Sequence, residues 1–168
     1  MTEKELADLA HHEAAHAVLA VALDVPLDKV KIVQSGDAAG SMSYPPPMFV
    51  DDPDRAPSSR DKVARDMVTV CYAGRSADRH RGCEEEYKYE LDDATAWGLL
   101  LDYVRVRREG YVGDAVYDSL AYALRRKADT YVTADWPKVE ALARALLERK
   151  TMTWQDVLAV VERRKSYS

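Results

Sequence analysis

Two histidines and a glutamate, His12, Glu13 and His16, sit inside an otherwise apolar, alanine-rich stretch, and no other feature of the chain restricts its fold as much. Thr2-Glu3-Lys4-Glu5 has the capping-box pattern, in which a threonine hydroxyl and a glutamate carboxylate satisfy each other's backbone amides at a helix start. The spacing that follows predicts a helix from Glu3 to about Leu23, closed by Asp24-Val25-Pro26. Along it Leu9, His12, His16, Leu19 and Leu23 recur at steps of three and four, so both imidazoles fall on the inward face. Burying two imidazoles and a carboxylate together is costly unless something pairs with them. The fold must supply that partner.

A divalent metal ion does so most directly. Residues four apart on a helix lie one turn above each other, so His12 and His16 can reach one ion. Zinc takes imidazole nitrogen at about 2.0–2.1 Å, and catalytic sites combine three protein ligands with a water. Glu13, offset around the helix, is placed to act as general base on that zinc-activated water. The composition produces an H-E-x-x-H match by chance roughly 0.006 times per chain, so coincidence is a poor account of it. His11 lies outside the pattern and reads as a surface or supporting residue. The third ligand must come from elsewhere, and the acidic stretch Glu84 to Asp93 is the source the sequence offers. Glu90, Ala94, Trp97, Leu101 and Val104 form one helical stripe, which turns Glu90 inward, while Asp93 lies one turn further on the same face. Spacing does not separate Glu90 from Asp93.

The rest of the chain reads as mainly α with a small two-stranded β element. Lys29 to Gln34 alternates and is β-branched, which predicts a strand, and Ser41 to Tyr44 can return beside it after the Gly36 and Gly40 turn. The segment from Lys31 to Tyr44 is expected to offer an open edge to an extended peptide. A proline-rich acidic loop covers about residues 45–58. Helices are predicted from Ser58 or Ser59 to His80, Glu85 to Arg108, Asp114 to Ala128, Asp135-Trp136-Pro137 to Lys150, and Thr153 to about Lys165. Trp97, Trp136 and Trp154 are expected in the core with Cys71, and His80 at the surface. No internal repeat or linker divides the chain, so residues 1–168 are expected to form a single domain.

Composition excludes several classes. A net charge of −5 lacks the positive field of a nucleic-acid-binding domain. The basic clusters at Arg105, Arg107, Arg108 and at Arg163, Arg164, Lys165 fall near helix ends, where cations complement the dipole. Two cysteines make no disulfide scaffold, and no apolar run approaches the roughly 18 residues of a membrane span. The polar N-terminus lacks a signal-peptide pattern, and a cytoplasmic protein is expected.

In order along the chain, several segments resemble the peptidase domain of FtsH-type, AAA-linked zinc metalloproteases. His12-Glu13-Ala14-Ala15-His16-Ala17-Val18 is similar to that family's H-E-A-G-H-A-V, and Lys29 to Gly40 to its strand and glycine turn. Ala73-Gly74-Arg75-Ser76-Ala77-Asp78 resembles its helical G-R-A-A-E, and Glu90-Leu91-Asp92-Asp93-Ala94-Thr95 its D-L-x-x-A-T ligand helix. Thr151-Met152-Thr153-Trp154 resembles the short segment before its last helix. The resemblance implies a helical, zincin-type metallopeptidase domain with Zn2+ held by His12, His16 and Glu90, Asp93 being the alternative, and with Glu13 as the catalytic base. Glu90 departs from the family's aspartate. No G-x-x-x-x-G-K phosphate loop occurs in these residues, so the expected activity is ATP-independent hydrolysis of a peptide or unfolded protein, or is powered by a separate partner. Two other functions fit the same residues: a selective regulatory protease with one protein partner, and a non-catalytic zinc-binding interaction module. Apolar helical faces permit a homo-oligomer.

Overall fold

A computed structural model describes residues 1–32, 41–43, 57–83, 90–107 and 114–162, with side chains throughout these except 57–60, 90, 91, 102–107 and 114. The first helix, α1, spans Glu3–Ala22. It begins as its sequence predicts: Thr2 Oγ1 accepts from the Glu5 amide at 3.2 Å, and Glu5 Oε2 accepts from the Thr2 amide at 2.7 Å. Asp24 takes a left-handed conformation (φ 58°) where the helix closes. Ala10, Ala14, Ala15, Ala17 and Ala20 are fully buried, and these small residues let neighbouring helices approach the backbone of α1 closely.

Around α1 stand α2 (Pro57–Cys71), α3 (Ala73–Arg81), α4 (Glu90–Arg107), α5 (Asp114–Ala134), α6 (Trp136–Arg149) and α7 (Trp154–Glu162). Its broadest contacts are with α6 and α3. The expected helix from Ser58 to His80 is two helices, broken at Tyr72 without glycine or proline. A helix end frees carbonyls for other donors, and the break leaves Val70's carbonyl accepting from a His16 ring nitrogen. α3 ends at Gly82, whose positive φ of 70° closes the helix, with Arg79, His80 and Arg81 in its last turn. α5 runs past the expected Ala128 because Tyr117, Ala121, Leu124, Ala128 and Val132 continue one buried stripe and no breaker intervenes. Asp135 precedes α6 as expected, although its carboxylate turns to Lys138 Nζ at 2.6 Å rather than to an amide. At α7, Thr153 and Asp156 cap each other reciprocally.

The sheet has three strands, not two. β1 (Lys29–Lys31) lies between β2 (Ser41–Ser43) and β3 (Thr151–Thr153), antiparallel to both, with Val30 opposite Met42 on one side and Met152 on the other. β3 has only three residues and precedes a helix directly, so period-two alternation has too little length to show. Because β1 is flanked on both sides, the open edge among the described residues of the Lys31 to Tyr44 segment is that of β2. Val30, Met152 and Ile32 join the buried cluster that α1, α2, α5 and α6 share.

Of the tryptophans, Trp136 and Trp154 are half-buried against the core, whereas Trp97 is 42% exposed and leans on Tyr117, which corrects its expected core position. Cys71 is buried and His80 exposed, as expected, with His80 stacked on Trp136 at 4.0 Å. The proline-rich loop up to residue 56, the Glu84 to Tyr89 run, the side chains of Glu90, Arg105 and Arg107, and residues 108 and 163–165 lie outside what is described. Among the described residues no helix is long and apolar enough to cross a membrane.

Candidate metal centre

His12 and His16 stand one turn apart on the buried middle of α1, as their spacing requires. Their Nε2 atoms are 3.2 Å apart. The third group beside them is Asp92, from the first turn of α4: its Oδ2 lies 3.2 Å from His12 Nε2 and 3.3 Å from His16 Nε2. These three are the metal-ligating cluster found among the described residues. Asp93 is not in the cluster; it faces Arg75 Nη1 at 3.4 Å and Arg125 Nη2 at 3.7 Å.

Among the described side chains the carboxylate beside the two histidines is Asp92, while the Glu90 side chain lies outside them. Of the anticipated stripe, Ala94 and Trp97 are exposed. Ala96 and Leu100 are fully buried, and Asp92 precedes them at steps of four. The bulk of Trp97 misleads a reading by periodicity, because a large aromatic weighs heavily in any apolar pattern. It can nonetheless sit on a rim.

The nitrogens facing away from the cluster fix the chemistry of those facing in. His12 Nδ1 donates to Asp78 Oδ2 at 2.9 Å, and His16 Nδ1 donates to the Val70 carbonyl at 2.7 Å. An ionised carboxylate and a carbonyl only accept, so in the neutral rings the protons belong on Nδ1 and both Nε2 atoms present lone pairs. Two imidazole lone pairs and a carboxylate oxygen thus converge on one point, where only positive charge relieves their repulsion. Burial works against a charged His12, yet Asp78 and Asp92 outweigh it and push its pKa up to about 10. His16 is buried too, and Asp92 still raises it. Burial favours neutral Asp92, but the two histidines hold its carboxyl well below the usual range.

The size of the triangle selects among ions. Ligands at the zinc distance on a tetrahedron are separated by about 3.3–3.4 Å, and the three separations here are 3.2, 3.2 and 3.3 Å. The longer bonds of calcium demand wider spacing and more oxygen donors. Two nitrogens and one oxygen at these distances fit zinc.

Gly74 completes the wall. Any Cβ there would collide with Cε1 and Nε2 of His12 and with Nε2 of His16. Only glycine lets α3 approach the imidazoles this closely. α3 is itself fastened: Arg81 bonds Asp8 of α1 at 2.7 Å, and Ser76 and Arg79 bond Asp129 of α5 at 2.7 and 3.1 Å. Gly74 and Asp78 both lie in the segment that resembles G-R-A-A-E, yet nothing local to them marks their place beside the histidines. Long-range contacts such as Asp78 to His12 leave no local signal.

Glu13, 6% exposed, lies among the same groups. Its carboxylate takes no hydrogen bond from the described residues, and burial pushes its pKa up against the pull of His16 and His12. His11 is outside the centre, with Nδ1 bonded to the Ala7 carbonyl at 2.7 Å and its ring stacked toward Trp136.

No family model matches the chain. Among curated proteins it is 28% identical, over an alignment of 196 positions, to the ATP-dependent zinc metalloprotease FtsH 2 of Methylacidiphilum infernorum. The match takes in 96% of this chain and 30% of that protein, so the chain spans about a third of its relative's length. The similarity is distant, and it points to a metalloprotease-related function.

Proposed function

We propose that the chain is a zinc metallopeptidase of zincin type, with His12, His16 and Asp92 holding the metal and Glu13 serving as general base. The observation that carries this reading is the triangle of two Nε2 lone pairs and one carboxylate oxygen at zinc-tetrahedron spacing, beside a buried carboxylate with no other partner among the described residues. A zinc ion bound there supplies Lewis acidity, lowering the pKa of water and polarising a carbonyl. Glu13 takes the proton from the attacking water and returns it to the departing amine. Asp78 and Val70 hold the imidazoles in the tautomer that leaves Nε2 free. Hydrolysis of this kind consumes water alone, and a peptide or unfolded protein is the proposed substrate class. The distant similarity to a zinc metalloprotease supports the same chemistry.

A non-catalytic zinc module has no use for a buried, otherwise unengaged Glu13, whose burial is costly. The test is metal content together with hydrolysis of an unfolded protein such as casein, for wild type and Glu13→Gln. About one zinc per chain is expected in both, with hydrolysis reduced about 10²- to 10⁴-fold in the variant. A wild type that takes up no zinc, or a Glu13→Gln variant that cleaves at full rate, overturns the proposal.

A further inference from the structure

Arg75 follows Gly74 on α3, and Asp93 follows Asp92 on α4. The contact between Gly74 and the imidazoles is therefore shadowed, one residue along each helix, by an ion pair between Arg75 and Asp93. Each oxygen of Asp93 faces a guanidinium from a different helix: Oδ2 faces Arg75 Nη1 at 3.4 Å, and Oδ1 faces Arg125 Nη2 of α5 at 3.7 Å. Arg125 also lies over the ring of Tyr72, 4.8 Å from its centroid, at the break between α2 and α3. α4 otherwise packs chiefly against α2. Its first turn, the part that presents Asp92, is joined through Asp93 to α3, whose Gly74 meets the imidazoles, and to α5.

We propose that Arg75 and Arg125 are positioning residues that clamp Asp93 and so hold the neighbouring Asp92 carboxylate at coordinating distance from His12 and His16. The inference rests on Asp92 being the third ligand. A carboxylate at a helix start has its reach set by where that first turn lies, and ligand affinity depends on such outer contacts as well as on the ligands themselves.

Bare electrostatics predicts the opposite sign, which makes the proposal testable. Removing a positive charge near a cation site strengthens binding of the cation, whereas releasing the clamp weakens it. The experiment measures zinc affinity, by competition with a chromogenic chelator, for the whole chain and its Arg75→Gln, Arg125→Gln, Asp93→Asn and Asp92→Ala variants. Circular dichroism of the metal-free proteins checks folding. Arg75→Gln and Asp93→Asn are expected to weaken zinc about ten-fold, and a variant carrying both changes to be no weaker than Asp93→Asn alone. The absorption bands of cobalt(II) bound to Arg75→Gln are expected to differ from those of the wild type, because the carboxylate ligand has moved. Arg125 is about half exposed, so Arg125→Gln repeats the test should Arg75→Gln fail to fold, and it too is expected to bind zinc more weakly.

Equal or tighter zinc binding in the folded arginine variants, with an unchanged cobalt spectrum, overturns the clamp. If Asp92→Ala still loses zinc, the third-ligand reading survives that result. An Asp92→Ala variant with wild-type affinity overturns both.

Discussion

Replacing Gly74 with alanine sets local helix preference against the geometry of the cradle, and the two predict opposite results. Gly74 is the second residue of α3. Within a helix, alanine is favoured over glycine by about 1 kcal/mol, and less near an end. Against this, the new Cβ would occupy space taken by Cε1 and Nε2 of His12 and Nε2 of His16. The rings cannot swing aside freely, because Asp78 and the Val70 carbonyl hold their Nδ1 atoms at 2.9 and 2.7 Å. Forcing one carbon into packing of this kind costs about 1–3 kcal/mol, and losing either buried hydrogen bond adds about 1–3 kcal/mol. The clash wins. Gly74→Ala should lower the thermal midpoint of the metal-free protein by about 3–15 °C, taking about 1–5 kcal/mol net for a chain of this length. Zinc binding should suffer more, since the 3.2 Å separation of the Nε2 atoms must open. A loss of at least about 100-fold in affinity is expected, equivalent to about 2.7 kcal/mol. Thermal melts followed by circular dichroism and chelator competition measure the two effects. A variant that melts at or above the wild type and binds zinc equally well refutes the argument.

Three further outcomes are expected. Asp78→Asn weakens the acceptor for His12 Nδ1 and should reduce zinc affinity about 10- to 100-fold without changing the stoichiometry at saturation; an unchanged affinity would show that Asp78 does not orient the ring. Among Glu90→Gln, Asp92→Asn and Asp93→Asn, the Asp92 change should weaken zinc most; a larger loss in Glu90→Gln would return the third ligand to the position first read from periodicity. The pKa of His12 in the metal-free protein, about 10, lies above its ordinary 6.5, so its stabilisation is complete below about pH 6.5 and is lost as pH rises toward 10. Zinc takes the place of that proton, so thermal midpoints measured across this range should fall for the metal-free protein and stay nearly level for the loaded one. Parallel slopes would contradict this.

What the sequence made legible is mostly what lies close together in it. The capping box at Thr2 and Glu5, the helical spacing of His12 and His16, and the reciprocal cap of Thr153 and Asp156 all join residues within a turn of one another. Their geometry follows from the helix itself. The misses are contacts made across the fold. Which described carboxylate of α4 stands beside His12 and His16 is decided by Ala96 and Leu100 packing inward while Trp97 stays at the rim. The break at Tyr72 carries no breaker residue; its role shows only once His16 is seen to bond Val70 from α1. β3 pairs with β1 from the far end of the chain, and three residues are too few to announce a strand.

That last pairing governs the order of assembly. His12, His16 and Asp92 have all been synthesised well before the middle of α5, yet the central strand of the sheet gains its second neighbour only when Thr151–Thr153 arrives. α6, a principal packing partner of α1, is likewise made late. Contacts so distant along the chain are slow to close, because loop entropy is lost before they form. A nascent chain can therefore carry His12, His16 and Asp92 while the helix bearing the two histidines still lacks one of its main supports. On the proposed zinc reading, an ion held by these three residues would staple α1 to α4 before α6 and β3 complete the scaffold.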